Sequence, residues 1–180
     1  EHEPVDALVS GPIGMNAIQH IIENAKNHMN RDAWLFVEHG YNQAEIVKDL
    51  FEKALIAPAT KGANELWVIT GYSSPAIVHK QLDRLEKAGL KIKIKILVGM
   101  IGLDGLDLAS HQGFKKLSKI YGDDFSCRYV LKSSITHSKN YLWLKTGRPF
   151  VGFSGSANYS INAFSGKVIE TLTTDDPLEI

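Results

Sequence analysis

Apolar and polar residues follow two different periods along the chain, and each period predicts one kind of element. Apolar residues three and four positions apart predict helices at 15–28, 42–55, 74–89 and 107–121. Short apolar runs and strict alternation predict strands at 33–39, 65–71, 91–100, 126–132, 140–145 and 149–155. Because strands and helices alternate over the first two thirds, the sequence predicts an α/β layered fold with a mixed central sheet flanked by helices.

The strand predicted at 91–100 carries lysine at every second position. Lys91, Lys93 and Lys95 share one face, and three isoleucines occupy the other. One interpretation is a solvated or edge strand, since lysine commonly protects sheet edges. The alternative is a track for nucleic acid, and the first interpretation is favoured.

Composition narrows the classes of protein that fit. The chain has 180 residues, of which 44% are hydrophobic and 22% are charged, which is ordinary for a soluble globular protein with one main domain. Twenty basic and twenty acidic side chains give a formal charge of zero. Without a global basic field, any site for a polyanion has to be local.

Cysteine usage and hydropathy predict a compartment. The single cysteine, Cys127, has no internal disulfide partner. No run approaches the roughly 20 apolar residues that span a membrane, and residues 1–14 lack the pattern of a signal peptide. A cytoplasmic protein without a membrane partner is predicted, with an N-terminal helical segment of unclear role at 1–28 and the main domain at 29–180.

The segment "THSKNYLWLKTGRPFVGFSGSANYS" (136–160) holds the main candidate chemistry. His137 and Lys139 are two positions apart and share a strand face, and pairing of the two predicted strands brings Ser156 and Asn158 opposite them. These groups suit a phosphate: an ammonium for charge, an amide and a hydroxyl as donors, and an imidazole nitrogen for attack. Glu170 is placed to accept a hydrogen bond from the second imidazole nitrogen.

The same residues carry a family resemblance. His137 and Lys139, followed by Gly155, Ser156 and Asn158, resemble the HxK and GSxN signature of the phospholipase D superfamily. With "VITGYSS", "LVGMIGLDG" and "HSKNYLWLKTGRP", the wider context is similar to the catalytic domain of NgoFVII-type restriction endonucleases over roughly residues 33–178. One departure is Leu144, where the full signature has aspartate; this argues against a phospholipase more than against catalysis.

The resemblance implies a phospholipase D-like fold and a DNA-cleaving nuclease that uses neither metal ion nor cofactor. It implies a covalent phosphohistidine on His137, which acts as nucleophile or acid. Lys139 and Asn158 would grip the phosphate, Ser156 would support them, and Glu170 would position the imidazole.

The implied active sites contain two HxK motifs, whereas this chain has one and no internal repeat. The sequence therefore predicts a homodimer with a composite site. No element that reads base edges is identified, so recognition is expected from another domain or subunit. Control by a partner ATPase is left open.

Further residues are candidates for the substrate cleft. Tyr72 and Ser73 in "GYSSP" line it if the resemblance holds, although a plain turn and helix cap is slightly favoured. Gly155 adjoins the site, and Lys132 and Arg148 form either a rim against the DNA backbone or ordinary surface. "GMIGLDG" (99–105) is interpreted as a loop at the end of a strand.

Two other patterns receive simpler interpretations. The pairs Asp123-Asp124 and Asp175-Asp176 are assigned to solvated loops or caps rather than to a two-metal site, and the remaining histidines lack metal-ligand spacing. RNA or phospholipid as substrate, and a noncatalytic nucleic-acid-binding scaffold, remain the alternatives to a DNA nuclease.

Overall fold

The computed structural model describes residue 24 and residues 50–131, 135–164 and 170–177. All of these except Asn24 belong to one compact unit, Val47–Ile180. The predicted helix at 15–28, the predicted strand at 33–39 and the proposed boundary between residues 28 and 29 lie outside the described residues. They remain predictions.

The described helices largely follow the predicted periodicity. A π-helical turn at Phe51–Ile56 overlaps the end of the predicted helix 42–55, of which residues 42–49 lie outside the described residues. The α-helices are α1 (Ala57–Thr60), α2 (Pro75–Glu86), α3 (Ile101–Asp104) and α4 (Leu108–Tyr121), with a 3-10 turn at Gly122–Asp124. The side chain of Asp107 caps α4 by accepting from the backbone N–H of Ser110 at 2.8 Å. Ser74 precedes α2 as predicted, but its side chain makes no capping bond.

Six strands form one mixed sheet among the described residues. They are β1 (Glu65–Thr70), β2 (Lys93–Val98), β3 (Phe125–Tyr129), β4 (Lys139–Lys145), β5 (Arg148–Gly155) and β6 (Leu172–Asp175), in the spatial order β3-β2-β1-β4-β5-β6. The pairs β1–β2 and β2–β3 are parallel, and the pairs β1–β4, β4–β5 and β5–β6 are antiparallel. This confirms the predicted α/β class with a mixed sheet.

The direction of the strands brings segments that are distant in the chain together at one end of the strands. The last residue of β1, Thr70, pairs with the first residue of β4, Lys139. The last residue of β5, Gly155, pairs with the first residue of β6, Leu172. The carboxyl ends of β1, β2, β3 and β5 therefore meet the beginnings of β4 and β6, and a crevice at such an edge is the usual ligand site in open α/β sheets.

One face of the sheet packs into the core. Alternate residues of the central strands are almost fully buried, namely Leu66, Val68, Ile94, Ile96, Tyr141 and Trp143. The other face is more exposed: Trp67 is 45% exposed, and the Lys95 ammonium lies 4.8 Å from its ring centre and 2.7 Å from a Glu65 carboxylate oxygen.

The lysine-rich strand β2 lies between β1 and β3 and is not an edge. The part of the prediction that named an edge strand is wrong, because β2 pairs with a strand on each side. Its isoleucine face packs against the core, and its lysine face is solvated. Alternation alone reports one buried face and says nothing about which strands lie on either side.

Side chains satisfy carbonyl groups of the π-helical turn. The indole N–H of Trp143 donates to the carbonyl of Ala54 at 2.8 Å, and the amide of Gln81 donates to the carbonyl of Leu55 at 2.7 Å. The hydroxyl of Tyr159 donates to the amide oxygen of Gln81. These bonds tie the helical layer to β4 and to the segment after β5.

The β4–β5 hairpin turns on two residues. Lys145 pairs with Arg148, and Thr146 and Gly147 between them have φ angles of 52° and 78°. Positive φ at both central positions is typical of a type I′ turn. The hairpin fixes the register that carries Lys139 and Gly155 to the same edge.

Candidate active site

His137 and Lys139 contact each other directly at the end of the sheet where β1 ends and β4 begins. The Lys139 ammonium lies 2.9 Å from Nδ1 and 3.1 Å from Nε2 of His137, and it donates to the His137 carbonyl at 2.7 Å. His137 is exposed, whereas Lys139 is only 9% exposed. Because an ammonium group can only donate, a ring nitrogen bonded to it is unprotonated, and an unprotonated nitrogen is the form that a nucleophile needs.

Burial and charge act in opposite directions on Lys139. Desolvation lowers the pKa of its ammonium group, while the negative charge of Glu170 acts to raise it. Burial is the larger effect. A cation held in this way has a strong preference for an anionic ligand.

Asn158 is held by the end of β1. Its Oδ1 accepts from the backbone N–H of Tyr72 at 3.0 Å and lies 3.2 Å from the hydroxyl of Thr70. Thr70 is fully buried, and its hydroxyl also accepts from the N–H of Tyr159 at 3.1 Å. Since both bonds of Asn158 use its carbonyl oxygen, they leave the NH2 group as the donor of this side chain.

Gly71 lies between His137 and Asn158. A Cβ atom at Gly71 would stand 2.6 Å from Cδ2 of His137 and 3.3 Å from Oδ1 of Asn158. Sequence reasoning overlooked this residue and Thr70 before it. The available signal was the glycine that ends the predicted strand 65–71, because glycine often marks a close approach.

Ser156 is bonded to the start of β6. Its hydroxyl donates to Oε2 of Glu170 at 2.5 Å and accepts from the N–H of Thr171 at 3.0 Å. Gly155 permits this approach, because a Cβ there would lie 2.2 Å from the Thr171 carbonyl oxygen. Among the described residues no hydrogen bond joins Glu170 to His137, so the positioning of the imidazole by Glu170 remains a prediction.

The two candidates from "GYSSP" differ in their surroundings. The ring of Tyr72 meets the ring of His137 edge to face, with centroids 5.8 Å apart and planes at 79°. The hydroxyl of Ser73 donates to the carbonyl of Tyr159 at 2.9 Å. Tyr72 thus borders the site, whereas Ser73 joins the end of β1 to the segment that follows Asn158.

Arg148, one of the two residues of the predicted basic rim, is not part of this cluster. Arg148 is exposed at the start of β5, at the opposite end of that strand from Gly155. Seven residue steps of about 3.3 Å separate the two by roughly 23 Å. Lys132 lies outside the described residues. Contact of either residue with a long substrate remains a prediction.

The "GMIGLDG" segment is the predicted loop, and it contains the short helix α3. It packs closely behind His137: a Cβ at Gly99 would lie 1.9 Å from the carbonyl oxygen of Thr136. The backbone N–H of Met100 donates to the carbonyl of Gly71 at 3.1 Å. The loop therefore contacts the backbone at Gly71 and at Thr136, the residue before His137.

Carboxylate pairs lie away from the cluster. Asp123 and Asp124 form the turn before β3, at the opposite end of the strands from His137. Asp175 is the last residue of β6 and pairs with Gly152 of β5. Within the part of the chain that the structure describes, no group of three or more His, Cys, Asp or Glu side chains could hold a metal ion. The same part contains no helix long and apolar enough to cross a membrane.

One family model and two solved structures of nucleases or related proteins are similar to this chain. The NgoFVII restriction endonuclease N-terminal PLD domain family matches residues 48–179. The structure of NucT from Helicobacter pylori has a TM-score of 0.50 and 19% identity, covering 74% of this chain and 82% of that chain. Nuc from Salmonella typhimurium, a phospholipase D family member, has a TM-score of 0.45 and 17% identity, covering 75% of this chain and 77% of that chain.

A different set of relatives matches a shorter stretch. The release factor glutamine methyltransferase of Coxiella burnetii is 44% identical over 52 residues, which is 29% of this chain and 19% of that protein. The chain thus spans about a fifth of the length of the curated relatives it matches.

The family match confirms the predicted phospholipase D-like fold and the predicted resemblance to NgoFVII-type restriction endonucleases. It covers the whole site from Thr70 to Glu170. The chain therefore belongs to the family of NgoFVII restriction endonuclease N-terminal PLD domains.

Proposed function

We propose that this domain hydrolyses phosphodiester bonds of DNA without a metal ion, through a phosphohistidine formed on His137. The observation that carries the proposal is the contact of the Lys139 ammonium with the His137 ring, 2.9 Å from Nδ1, beside an oriented Asn158. No carboxylate accepts a hydrogen bond from either side chain among the described residues. This arrangement favours an anion that His137 can attack.

The phosphate would be gripped from two sides. The ammonium of Lys139 and the NH2 group of Asn158 supply donors to the two non-bridging oxygens, and the Ser156 hydroxyl supports the turn that carries Asn158. Positive charge held in a partly desolvated position stabilises the charge that develops on the phosphoryl oxygens.

The reaction would proceed in two displacements at phosphorus. In the first, a nitrogen of His137 forms a bond to phosphorus, the P–O ester bond breaks, and the leaving oxygen takes a proton from a second imidazole. In the second, that imidazole removes a proton from water, the water oxygen attacks phosphorus, and the P–N bond breaks to restore His137.

The second imidazole would come from another copy of the chain. Each chain has one HxK motif, and the exposure of His137 at the sheet edge leaves it accessible to a symmetry-related site. A twofold axis through the site would place His137 opposite the partner's His137. Sedimentation at assay concentration tests this point, and an active protein that is strictly monomeric would contradict it.

The remaining features of this function are also proposals. DNA recognition would reside in another domain or subunit, and the division into residues 1–28 and 29–180 stays part of the proposal. Control by a partner ATPase stays open. A cytoplasmic setting is part of the proposal, and a single cysteine without a disulfide partner is compatible with it.

The deciding experiment is cleavage of plasmid and single-stranded DNA in excess EDTA. We expect the wild-type protein to cut, His137→Ala to lose activity by about 1,000-fold or more, and an exposed histidine outside the site, in His79→Ala, to have no effect. Acid quenching should trap labelled phosphate on the wild-type protein and not on His137→Ala.

RNA and anionic liposomes serve as alternative substrates in the same assay. Preferential cleavage of either would replace DNA as the substrate while retaining the site. Cutting that appears only with magnesium would contradict the mechanism. DNA binding without cleavage of any substrate would favour the noncatalytic scaffold.

A further inference from the structure

Asp104 connects the "GMIGLDG" loop to the candidate site. It is the last residue of α3, is exposed, and accepts a hydrogen bond from the hydroxyl of Tyr72. The same bond raises the pKa of the Tyr72 phenol, since ionisation would place two negative charges together. Asp104 is 32 residues from Tyr72 in the chain, so this contact is a product of the fold.

Tyr72 contacts both parts of the site. Its ring lies edge to face against His137, at a centroid distance of 5.8 Å, and its backbone N–H donates to Asn158 at 3.0 Å. The side chain is 39% exposed, so packing alone constrains it little. The bond from its hydroxyl to Asp104 selects the rotamer in which the ring borders His137.

The backbone beneath Asp104 is fixed to the core of the site. The N–H of Met100 donates to the Gly71 carbonyl at 3.1 Å, and the N–H of Gly102 donates to the Val130 carbonyl at 3.0 Å. Gly99 packs against Thr136, the residue before His137. The loop that carries Asp104 is therefore bonded to, and packed against, the backbone next to His137.

We propose that Asp104 is a positioning residue that, by holding the Tyr72 hydroxyl, fixes the Tyr72 ring against His137 and so sets the direction of the attacking imidazole. This inference deepens the proposed function and rests on His137 as nucleophile. Asp104 need not touch the substrate. It acts on the reaction indirectly, by fixing the orientation of the partly exposed Tyr72 ring.

A double-mutant cycle isolates the bond. We expect Asp104→Ala and Tyr72→Phe each to lower kcat about tenfold, with KM changed by less than about twofold. The double variant should be no worse than either single variant, because both remove the same bond. Asp104→Asn keeps an acceptor oxygen and should stay within about threefold of the wild type. Asp123→Ala, an exposed carboxylate at the other edge of the sheet, is the matched control.

The ring orientation is measured independently of activity. With the histidines labelled at Cε1, the resonance of His137 is identified by its loss in His137→Ala. Displacement of the Tyr72 ring should change its ring-current effect and shift this resonance in Asp104→Ala, whereas Asp104→Asn and Asp123→Ala should leave it in place.

Each outcome bears on one of the two proposals. If the wild-type protein cuts no substrate but the resonance moves in Asp104→Ala, the proposed function fails and the positioning contact stands. An unmoved resonance, additive effects in the cycle, or wild-type kcat in Asp104→Ala would each overturn the role of Asp104.

Discussion

Gly71 stands directly against the ring of His137: a Cβ atom added to Gly71 would lie 2.6 Å from Cδ2 and 3.3 Å from Nε2. Real Cβ atoms do not approach a side-chain carbon so closely, so the ring would have to move. The glycine is buried at the end of β1, where space rather than an unusual backbone angle requires it. A single added methyl group, in Gly71→Ala, therefore tests whether the position of the His137 ring matters for activity.

Gly71→Ala should therefore reduce activity far more than stability. Displacement of an attacking group by about 1 Å costs roughly 100-fold in rate, and we expect a fall of about that size in kcat. Gly89→Ala is the control, because its φ of 71° strains an alanine while nothing lies within 4 Å of the added Cβ. It should lose about 1 kcal/mol of stability and retain activity; the reverse pattern would contradict the contact.

Lys139 should give the fold a characteristic pH dependence. Burial lowers its folded-state pKa below the ordinary value of 10.5. Between those two pKa values the unfolded chain binds more protons, so the free energy of unfolding of the wild type should rise with pH relative to Lys139→Met. Below the folded-state pKa the difference should be constant.

Urea unfolding of both proteins from pH 7 to pH 10.5 measures this difference. The exposed Lys116, in Lys116→Met, corrects for the general effect of removing one positive charge. A wild-type stability that falls relative to Lys139→Met over the alkaline range would contradict the direction of the pKa change.

Ser156 and Glu170 should act as one unit. The Ser156 hydroxyl joins Glu170 at 2.5 Å to Thr171 at 3.0 Å, and Asn158 follows two residues later. We expect Ser156→Ala to cost about 1 kcal/mol of stability and to lower kcat/KM about tenfold by loosening Asn158. Glu170→Gln keeps an acceptor oxygen and should be milder.

Steady-state kinetics and thermal unfolding check this pair, with Ser118→Ala on the exposed face of α4 as control. If Glu170→Gln is as damaging as Ser156→Ala while the fold stays intact, the charge of Glu170 acts on the reaction, as its predicted role toward the imidazole requires.

Gln81 should be important for folding without contact with the substrate. Its amide donates to the Leu55 carbonyl at 2.7 Å and accepts from Tyr159, and both Gln81 and Tyr159 are fully buried. Gln81→Leu leaves two buried polar groups without this partner and should cost about 3 kcal/mol. Chemical unfolding measures the loss.

The double variant Gln81→Leu with Tyr159→Phe should recover part of that stability, because it removes a stranded hydroxyl along with its partner. Gln112→Leu on the surface of α4 is the control and should change stability by less than about 0.5 kcal/mol. Full additivity of the two buried substitutions would contradict a direct bond.

Features that depend on the geometry of neighbouring residues in the chain were predictable from the sequence. Period-two and period-3.6 patterns predicted the described strands β1 to β5 and the helices α2 and α4, because side-chain direction repeats with backbone geometry. His137 and Lys139 are neighbours through their spacing of two, and Ser156 and Asn158 join them through a hairpin with a two-residue turn. Local geometry was sufficient for that half of the site.

Elements with weak local patterns were missed. The strand β6 has four residues, Leu172–Asp175, and its stability comes from pairing with β5 rather than from an apolar repeat. The helix α3 has four residues and ends at a glycine with φ of 77°. Neither is long enough to display a period.

Which distant segments meet the hairpin became known from the three-dimensional structure. Pairing of Thr70 with Lys139 brings Gly71 and Tyr72 to His137, and the loop after β2 adds Asp104. The same register places Arg148 at the opposite end of β5 from Gly155. Strand order and register depend on packing among residues far apart in the chain, and a linear pattern of apolar and polar positions does not specify those contacts.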